Sequence, residues 1–226
     1  MSSSDMDRIR RKLAALAAGD PDLKLFGADG HKYRLAPPLS PEENSRMEAE
    51  YKMTLPEEYR AFLLELGDGG AGPYYGIQPL ANAIKYSGIA KDPATLSKRF
   101  PLNKPLLLFD ECVGEGTWDD YYRRIETGEK YYNKVRRCVS RFNKPYYTQG
   151  SLYLCDYGDA ISFRLVITGR ESGNIWVEDR AGDFGGIFPL SVEGKGESRT
   201  TFLEWYENWL DKVAQKSESE GYFEYA

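Results

Sequence analysis

The chain has 226 residues, of which 41% are hydrophobic and 14% aromatic, and its formal net charge is −5. This length supports one large domain or two small ones with a buried core, and the aromatic content excludes a disordered chain. The negative charge gives no general attraction to nucleic acid, because that binding depends on neutralising phosphates. No run approaches the roughly 20 apolar residues of a membrane-spanning helix, and the amino terminus lacks the apolar core of a signal peptide. We therefore expect neither a membrane protein nor a direct nucleic-acid binder.

The first half of the chain predicts three helices. Apolar residues on one face predict a helix over 4–18. Ser40 and Glu43 have the spacing of a capping box, so a second helix begins between them. Pro56 opens a third helix. The apolar face of this third helix consists of Tyr59, Phe62, Leu63 and Leu66.

The middle of the chain is less regular. Residues 67–76 are rich in glycine and predict a tight loop. Residues 77–109 predict short mixed elements that end in a buried strand at Leu106–Phe109. From residue 121 to residue 145 there are eight Lys or Arg and two Glu. This basic stretch predicts a helix or helical pair inserted into the fold, with a solvated basic face.

The second half predicts a sheet followed by a helix. Three runs rich in β-branched and aromatic residues, at 151–158, 161–169 and 174–180, predict a meander of antiparallel strands. Thr201 and Glu204 form a second capping-box pattern, which starts the last helix. The apolar face of this helix is expected to pack on the sheet and consists of Phe202, Trp205, Tyr206, Trp209 and Val213.

Histidine and cysteine restrict the chemistry available to the chain. His31 is the only histidine, which excludes multi-histidine metal sites and leaves one residue for any catalytic triad. We expect it to be a surface residue. Cys112, Cys138 and Cys155 are odd in number, widely spaced and without a C-x-x-C pair. This pattern argues against a disulfide framework or a zinc site and favours a reducing cytoplasm.

Two motif matches fail on their context. Residues 67–72 satisfy G-x-G-x-x-G, but a helix precedes them and Pro73 follows, whereas a dinucleotide site needs a strand before and a helix after. Asp183-Phe184-Gly185 spells the magnesium-binding motif of kinases without the accompanying catalytic loop. Neither match predicts a cofactor, and we expect none.

Five short pieces in order resemble the SUKH superfamily, the Smi/Knr-type domains. The first is the run Leu55–Leu80, LPEEYRAFLLELGDGGAGPYYGIQPL. The others are Gly150-Ser151-Leu152 leading to Asp156-Tyr157-Gly158, the strand 163–167, Gly173-Asn174-Ile175-Trp176, and Thr201-Phe202 followed by Trp205. The resemblance covers about residues 40–213. It leaves 1–39 as an N-terminal helical extension, about 110–149 as a basic Tyr- and Arg-rich insertion, and 214–226 as a polar acidic tail.

The resemblance implies an α+β domain whose helices pack against a curved, mostly antiparallel β-sheet, with no enzymatic activity, cofactor or metal. Many bacterial members of the family resemble immunity proteins, which bind and neutralise a cognate polymorphic toxin in contact-dependent competition. Residues 171–226 hold twelve Asp or Glu and five Lys or Arg. Such an acidic surface would steer a basic nuclease toxin to its inhibitor. The residues expected to contact the partner are Tyr74, Tyr75, Asp156, Glu178, Asp179 and Asp183.

Two other functions remain open. A regulatory scaffold would bind several host proteins without neutralising a toxin. A small hydrolase would use the carboxylates of Glu111, Glu115, Asp119 and Asp120, which would then hold a divalent ion.

Overall fold

The computed structural model describes residues 3–89, 92–114, 117–180, 185–191 and 198–216. The α-helices within these ranges are α1 (Ser3–Gly19), α2 (Ala28–His31), α3 (Pro41–Glu50), α4 (Glu57–Glu65), α5 (Leu80–Ile84), α6 (Leu108–Cys112), α7 (Trp118–Thr127), α8 (Glu129–Phe142) and α9 (Phe202–Lys216). The strands are β1 (Leu106–Leu107), β2 (Ser151–Gly158), β3 (Ile161–Val166), β4 (Ile175–Asp179) and β5 (Gly186–Pro189). None of these helices combines the length and the apolar character that crossing a membrane requires.

The five strands form one antiparallel sheet in the order β1-β5-β4-β3-β2. The predicted α+β class and the antiparallel meander are confirmed. Three isolated bridges extend the β2 edge, from Cys155 to Ile77, from Ile77 to Gly70 and from Gly70 to Leu35. The glycine-rich loop therefore covers an edge that would otherwise expose unpaired backbone groups.

Both faces of the sheet are buried, each against a different helical layer. Phe163, Leu165 and Val177 point into the larger core, which α1, α4 and α9 complete. Val166 and Trp176, at intervening positions on β3 and β4, point into a smaller core formed with α6, α7 and α8. This separation follows from the alternation of side chains along a strand. The predicted helical pair is thus present, and it covers the second face of the sheet.

Local signals place the helix starts as predicted. The Ser40 side chain accepts a hydrogen bond from the Glu43 backbone, and the Glu43 carboxylate accepts one from the Ser40 backbone at 2.9 Å. The Thr201 backbone likewise donates to the Glu204 carboxylate at 3.0 Å. The α9 face packs on α4, where the rings of Phe62 and Phe202 are 5.2 Å apart.

Three predictions are corrected. Leu106–Phe109 is not a full buried strand, because β1 has two residues and α6 begins at Leu108. Cys112 and Cys138 form a disulfide, with their Cα atoms 5.5 Å apart, which the odd cysteine count had argued against. His31 is half-buried rather than on the surface, its ring 5.9 Å from that of Trp209, and burial lowers its pKa.

Candidate protein-binding surface

Four aromatic side chains meet at the surface beside the β2–β3 hairpin, and we call them the aromatic patch: Phe26, Tyr74, Tyr75 and Tyr157. Phe26 is 46% exposed and Tyr75 is 52% exposed. The Phe26 ring lies 5.2 Å from that of Tyr75 and 6.1 Å from that of Tyr157. Tyr74 and Tyr157 are half-buried and meet edge to face at 4.6 Å. The patch therefore presents two exposed rings on two supporting rings.

A continuous aromatic stack connects the patch to the larger core. Tyr74 stacks on Phe163 with 4.9 Å between ring centroids, and Phe163 stacks on Trp205 of α9 at 5.6 Å. Phe163 and Trp205 are buried. Since close-packed neighbours restrict side-chain rotation, this buried stack limits the freedom of the side chains that support the patch.

The glycine-rich loop determines where Tyr74 and Tyr75 lie. Gly70 and Ile77 exchange two backbone hydrogen bonds of 2.8 Å, which brings the two ends of the loop together. Gly76 has a positive φ of 88°, and a Cβ atom there would lie 2.4 Å from the Gly70 carbonyl oxygen. Glycine is therefore required at this position, and the turn it permits exposes Tyr75.

Phe26 reaches the patch on a loop that a buried carboxylate organises. Asp20 accepts hydrogen bonds from the backbone of Lys24 at 2.8 Å and of Leu25 at 3.1 Å, and from the Tyr33 hydroxyl at 2.6 Å. Burial alone would raise the pKa of Asp20, but these bonds outweigh it and the pKa is lowered. The carboxylate is consequently held in the charged form that accepts all three bonds.

Asp156 lies beside the patch and supports the hairpin. Its carboxylate accepts a hydrogen bond from the Gly158 backbone at 2.8 Å, and its carbonyl accepts one from the Tyr75 backbone at 3.5 Å. A Cβ atom on Gly158 would lie 3.6 Å from the Tyr75 ring, so that ring covers the hairpin. Three of the predicted contact residues, Tyr74, Tyr75 and Asp156, are thus brought together.

The other predicted contact residues do not join this surface. Glu178 points to the opposite face of the sheet, and its side chain is 14% exposed and ion-paired with Arg164 and Arg180. Asp179 is half-buried at the end of β4, where it pairs with Gly186. Asp183 lies outside the described residues. The expectation that Glu178 offers an accessible carboxylate is therefore corrected.

Several carboxylates in the described part of the carboxyl-terminal region are paired with cations of the same molecule. Glu171 bonds Arg199 at 2.8 Å, and Glu207 bonds Arg8 at 2.6 Å and Lys12 at 3.1 Å. Lys12 also bonds Asp211 at 2.7 Å. Glu171, Glu207 and Asp211 therefore each have a cationic partner within the molecule, which lowers the net charge that they offer to a binding partner. From residue 217 onward, the predicted acidic tail lies outside the described ranges.

Of the carboxylates considered for a hydrolase, Asp120 has a structural role in the fold. Asp120 accepts hydrogen bonds from the backbone and hydroxyl of Thr117, at 3.0 and 2.9 Å, as the capping box of α7. Glu115 lies outside the described residues. Among the described residues, no group of three or more His, Cys, Asp or Glu side chains could hold a metal ion.

Sequence reasoning missed Phe26 and Tyr157 as members of the patch. Phe26 is 49 residues from Tyr75 in the chain. The signal that could have drawn attention to it is the Phe26-Gly27 pair in a polar segment. Gly27 has a positive φ of 78° and no room for a Cβ beside the Tyr74 carbonyl.

No family model, curated protein or solved structure matches the chain.

Proposed function

We propose that the chain acts by binding another protein, and that the aromatic patch is the centre of the binding surface. The observation that carries this proposal is the exposure of Phe26 and Tyr75 beside an aromatic stack that extends into the larger core. Large aromatic side chains with few rotors dominate binding energy at protein interfaces. A patch already held in place loses little conformational entropy when a partner docks.

The particular role that we propose is that of a SUKH-superfamily immunity protein, which binds and neutralises a cognate toxin of the nuclease type. The resemblance of five ordered sequence pieces supports this role, and so does the net charge of −5, which favours a basic partner. A cytoplasmic location belongs to the same proposal. The Cys112–Cys138 disulfide weighs against it, because disulfides persist mainly in oxidising compartments.

The role is tested by co-expression with the toxin-like product of the adjacent gene. The proposal expects the chain to protect cells from that product and to form a stable complex with it after purification. Binding to several unrelated proteins without protection would instead support the regulatory-scaffold alternative. If the chain neither protects the cells nor binds the adjacent gene product, the immunity role is contradicted.

The binding surface is tested by truncating its two exposed rings. Phe26→Ala and Tyr75→Ala should each weaken the complex by roughly 30-fold, the equivalent of about 2 kcal/mol for a central aromatic contact. Tyr132→Ala is the matched control, because Tyr132 is 43% exposed but lies on α8, against the opposite face of the sheet. Isothermal titration calorimetry measures the affinities. If Phe26→Ala and Tyr75→Ala bind with the same affinity as the control Tyr132→Ala, the aromatic patch is not part of the interface.

A further inference from the structure

A cleft of about 350 Å³ lies on the side of the molecule where residues 99–103 pass the turn Pro145–Thr148. Among the described residues, its polar lining consists of Arg99, Arg170, Tyr146, Asn103 and Gln149 and includes no acidic residue. The volume is at the lower end of the range for small-molecule sites. The cleft is separate from the aromatic patch and is not used by the proposed function.

Two arginines, Arg99 and Arg170, line this cleft, and the described residues of its lining include no carboxylate. The Arg99 side chain crosses Gly169, where a Cβ atom would lie 3.2 Å from Arg99 Cγ and 3.6 Å from Arg99 Nε. Arg170 directly follows Gly169 in the chain, and the side chains of Arg99 and Arg170 both line the cleft. Within the described residues, neither guanidinium has an ion-pair partner, whereas Arg8, Arg60, Arg164, Arg180 and Arg199 each bond a carboxylate.

Because no carboxylate of the described residues forms an ion pair with Arg99 or Arg170, their positive charges are not neutralised within the described part of the molecule. Like charges held near each other repel, and an anion bound between them removes the repulsion. A guanidinium also presents a planar fork of donors, which matches the oxygen atoms of a phosphate or a carboxylate. The cleft therefore favours an anionic ligand, and two guanidiniums match a ligand that carries two negative charges.

The walls of the cleft are held by hydrogen bonds to Thr168, which lies just after β3, and from Gln149, which lies just after the turn. The Phe100 backbone donates to the Thr168 hydroxyl at 2.9 Å, and the Gln149 amide donates to the Arg99 carbonyl at 2.9 Å. The Phe100 ring packs edge-on against Trp176 at 5.0 Å. Because these contacts exist before any ligand arrives, binding does not have to order the backbone of the cleft.

We propose that this cleft binds a phosphate monoester that carries an aromatic group. Arg99 and Arg170 hold the phosphate, which has a charge of about −1.5 to −2 at neutral pH and neutralises both guanidiniums. The aromatic group lies on Tyr146, whose side chain is 54% exposed and whose ring meets Tyr147 edge to face at 5.2 Å. Such a group could belong to a free mononucleotide or to a phosphorylated tyrosine of a protein.

The experiment titrates the full-length chain with three probes: phenyl phosphate, adenosine monophosphate and a short phosphotyrosine peptide. The proposal expects saturable binding of phenyl phosphate, and expects Arg99→Gln and Arg170→Gln each to weaken it at least about tenfold, as for the loss of a charge-assisted hydrogen bond. The stronger of the other two probes identifies the source of the natural ligand. Thermal unfolding confirms that each variant is folded.

Arg136→Gln is the matched control, because Arg136 is an exposed arginine on α8 outside the cleft. Its substitution should leave the affinity for phenyl phosphate unchanged. Benzoate, with one negative charge, should bind more weakly than phenyl phosphate. The proposal is overturned if none of the three phosphate probes shows saturable binding. It is also overturned if Arg136→Gln loses as much affinity for phenyl phosphate as the cleft variants do, or if benzoate binds as tightly as phenyl phosphate. None of these results depends on whether the aromatic patch binds a toxin.

Discussion

Arg164, Glu178 and Arg180 form a charged group on the sheet face that packs against α6 to α8. Their side chains are 8%, 14% and 12% exposed, respectively, and the Glu178 carboxylate bonds both arginines. Burial alone would raise the pKa of Glu178, but the two guanidiniums outweigh it and the pKa is lowered. Removing one member of such a group leaves the others charged, buried and unmatched.

We predict that Glu178→Gln lowers the free energy of unfolding by about 3 to 5 kcal/mol at neutral pH, because two buried arginines lose their counter-charge. The pH dependence follows from the lowered pKa. The ionised carboxylate stabilises the folded chain above the ordinary value of 4.5, and this stabilisation is lost as the pH falls below that value through the folded-state pKa. Urea denaturation over a pH series measures both effects.

Glu65→Gln is the control for this substitution, because Glu65 is an exposed glutamate at the end of α4. The Glu65→Gln variant should be as stable as the unmodified chain at neutral pH, and it should lose the same amount of stability in acid. The Glu178→Gln variant should lose less stability as the pH falls below about 4.5, since it lacks the carboxylate whose pKa is lowered. Parallel pH profiles for all three proteins would contradict the role given to Glu178.

At the scale of elements, α8 has two faces with opposite properties. Its apolar face contains Val135 and Phe142, which are buried in the smaller core. Its outer face has a stripe of cations with spacings of four, three and four residues: Lys130, Lys134, Arg137 and Arg141. Among the described carboxylates, none forms an ion pair with this stripe. Since like charges three or four residues apart destabilise a helix, α8 depends on its apolar face for stability.

We predict that Arg137→Glu raises the free energy of unfolding by about 0.5 kcal/mol, because the introduced carboxylate would face Lys134 and Arg141 at helical spacing. Added salt should stabilise the unmodified chain by screening the stripe and should have little effect on the variant. Denaturation with urea at low and high salt measures both. Arg137→Gln should be intermediate. A decrease in stability for the glutamate variant would show that Arg137 makes a favourable contact in the unmodified protein.

At the scale of the molecule, the sheet separates two layers with different constraints. The layer of α1, α4 and α9 is held by a large apolar core and supports the aromatic patch. The layer of α6, α7 and α8 has a smaller core and contains the disulfide between Cys112 and Cys138, which are 26 residues apart. Closing a loop of that length in the unfolded chain stabilises the fold by about 3 kcal/mol in the chain-entropy model.

We predict that reduction of the disulfide lowers the free energy of unfolding by about 3 kcal/mol and leaves toxin binding at the aromatic patch unchanged, because the two lie in different layers. Guanidinium denaturation with and without reductant measures the first effect, and calorimetry measures the second. A variant with both cysteines changed to serine should show no response to reductant. A loss of affinity on reduction would mean that the two layers are coupled.

Features that depend on neighbouring residues could be predicted from the amino-acid sequence alone. The capping box of Ser40 and Glu43, the buried face of Tyr59, Phe62 and Leu63, and the strand β3 were predicted because hydrogen bonds across one helical turn and side-chain periodicity are local properties. Tyr74 and Tyr75 could be predicted as contact residues because they are aromatics beside the glycine-rich loop, and Asp156 because it is an acidic residue near the end of a strand. The same reasoning failed wherever the partner of a residue is distant in the chain.

Tertiary structure alone joined Phe26 to Tyr75, paired Cys112 with Cys138 and placed Glu178 between two arginines. Composition assigned the region after residue 170 a large negative charge, but it could not show that folding places cations beside the carboxylates of Glu171 and Glu207. These outcomes depend on which surfaces the packing brings together. Spacing along the chain does not contain that information, because a side chain's burial and charge pairing are properties of the assembled layers.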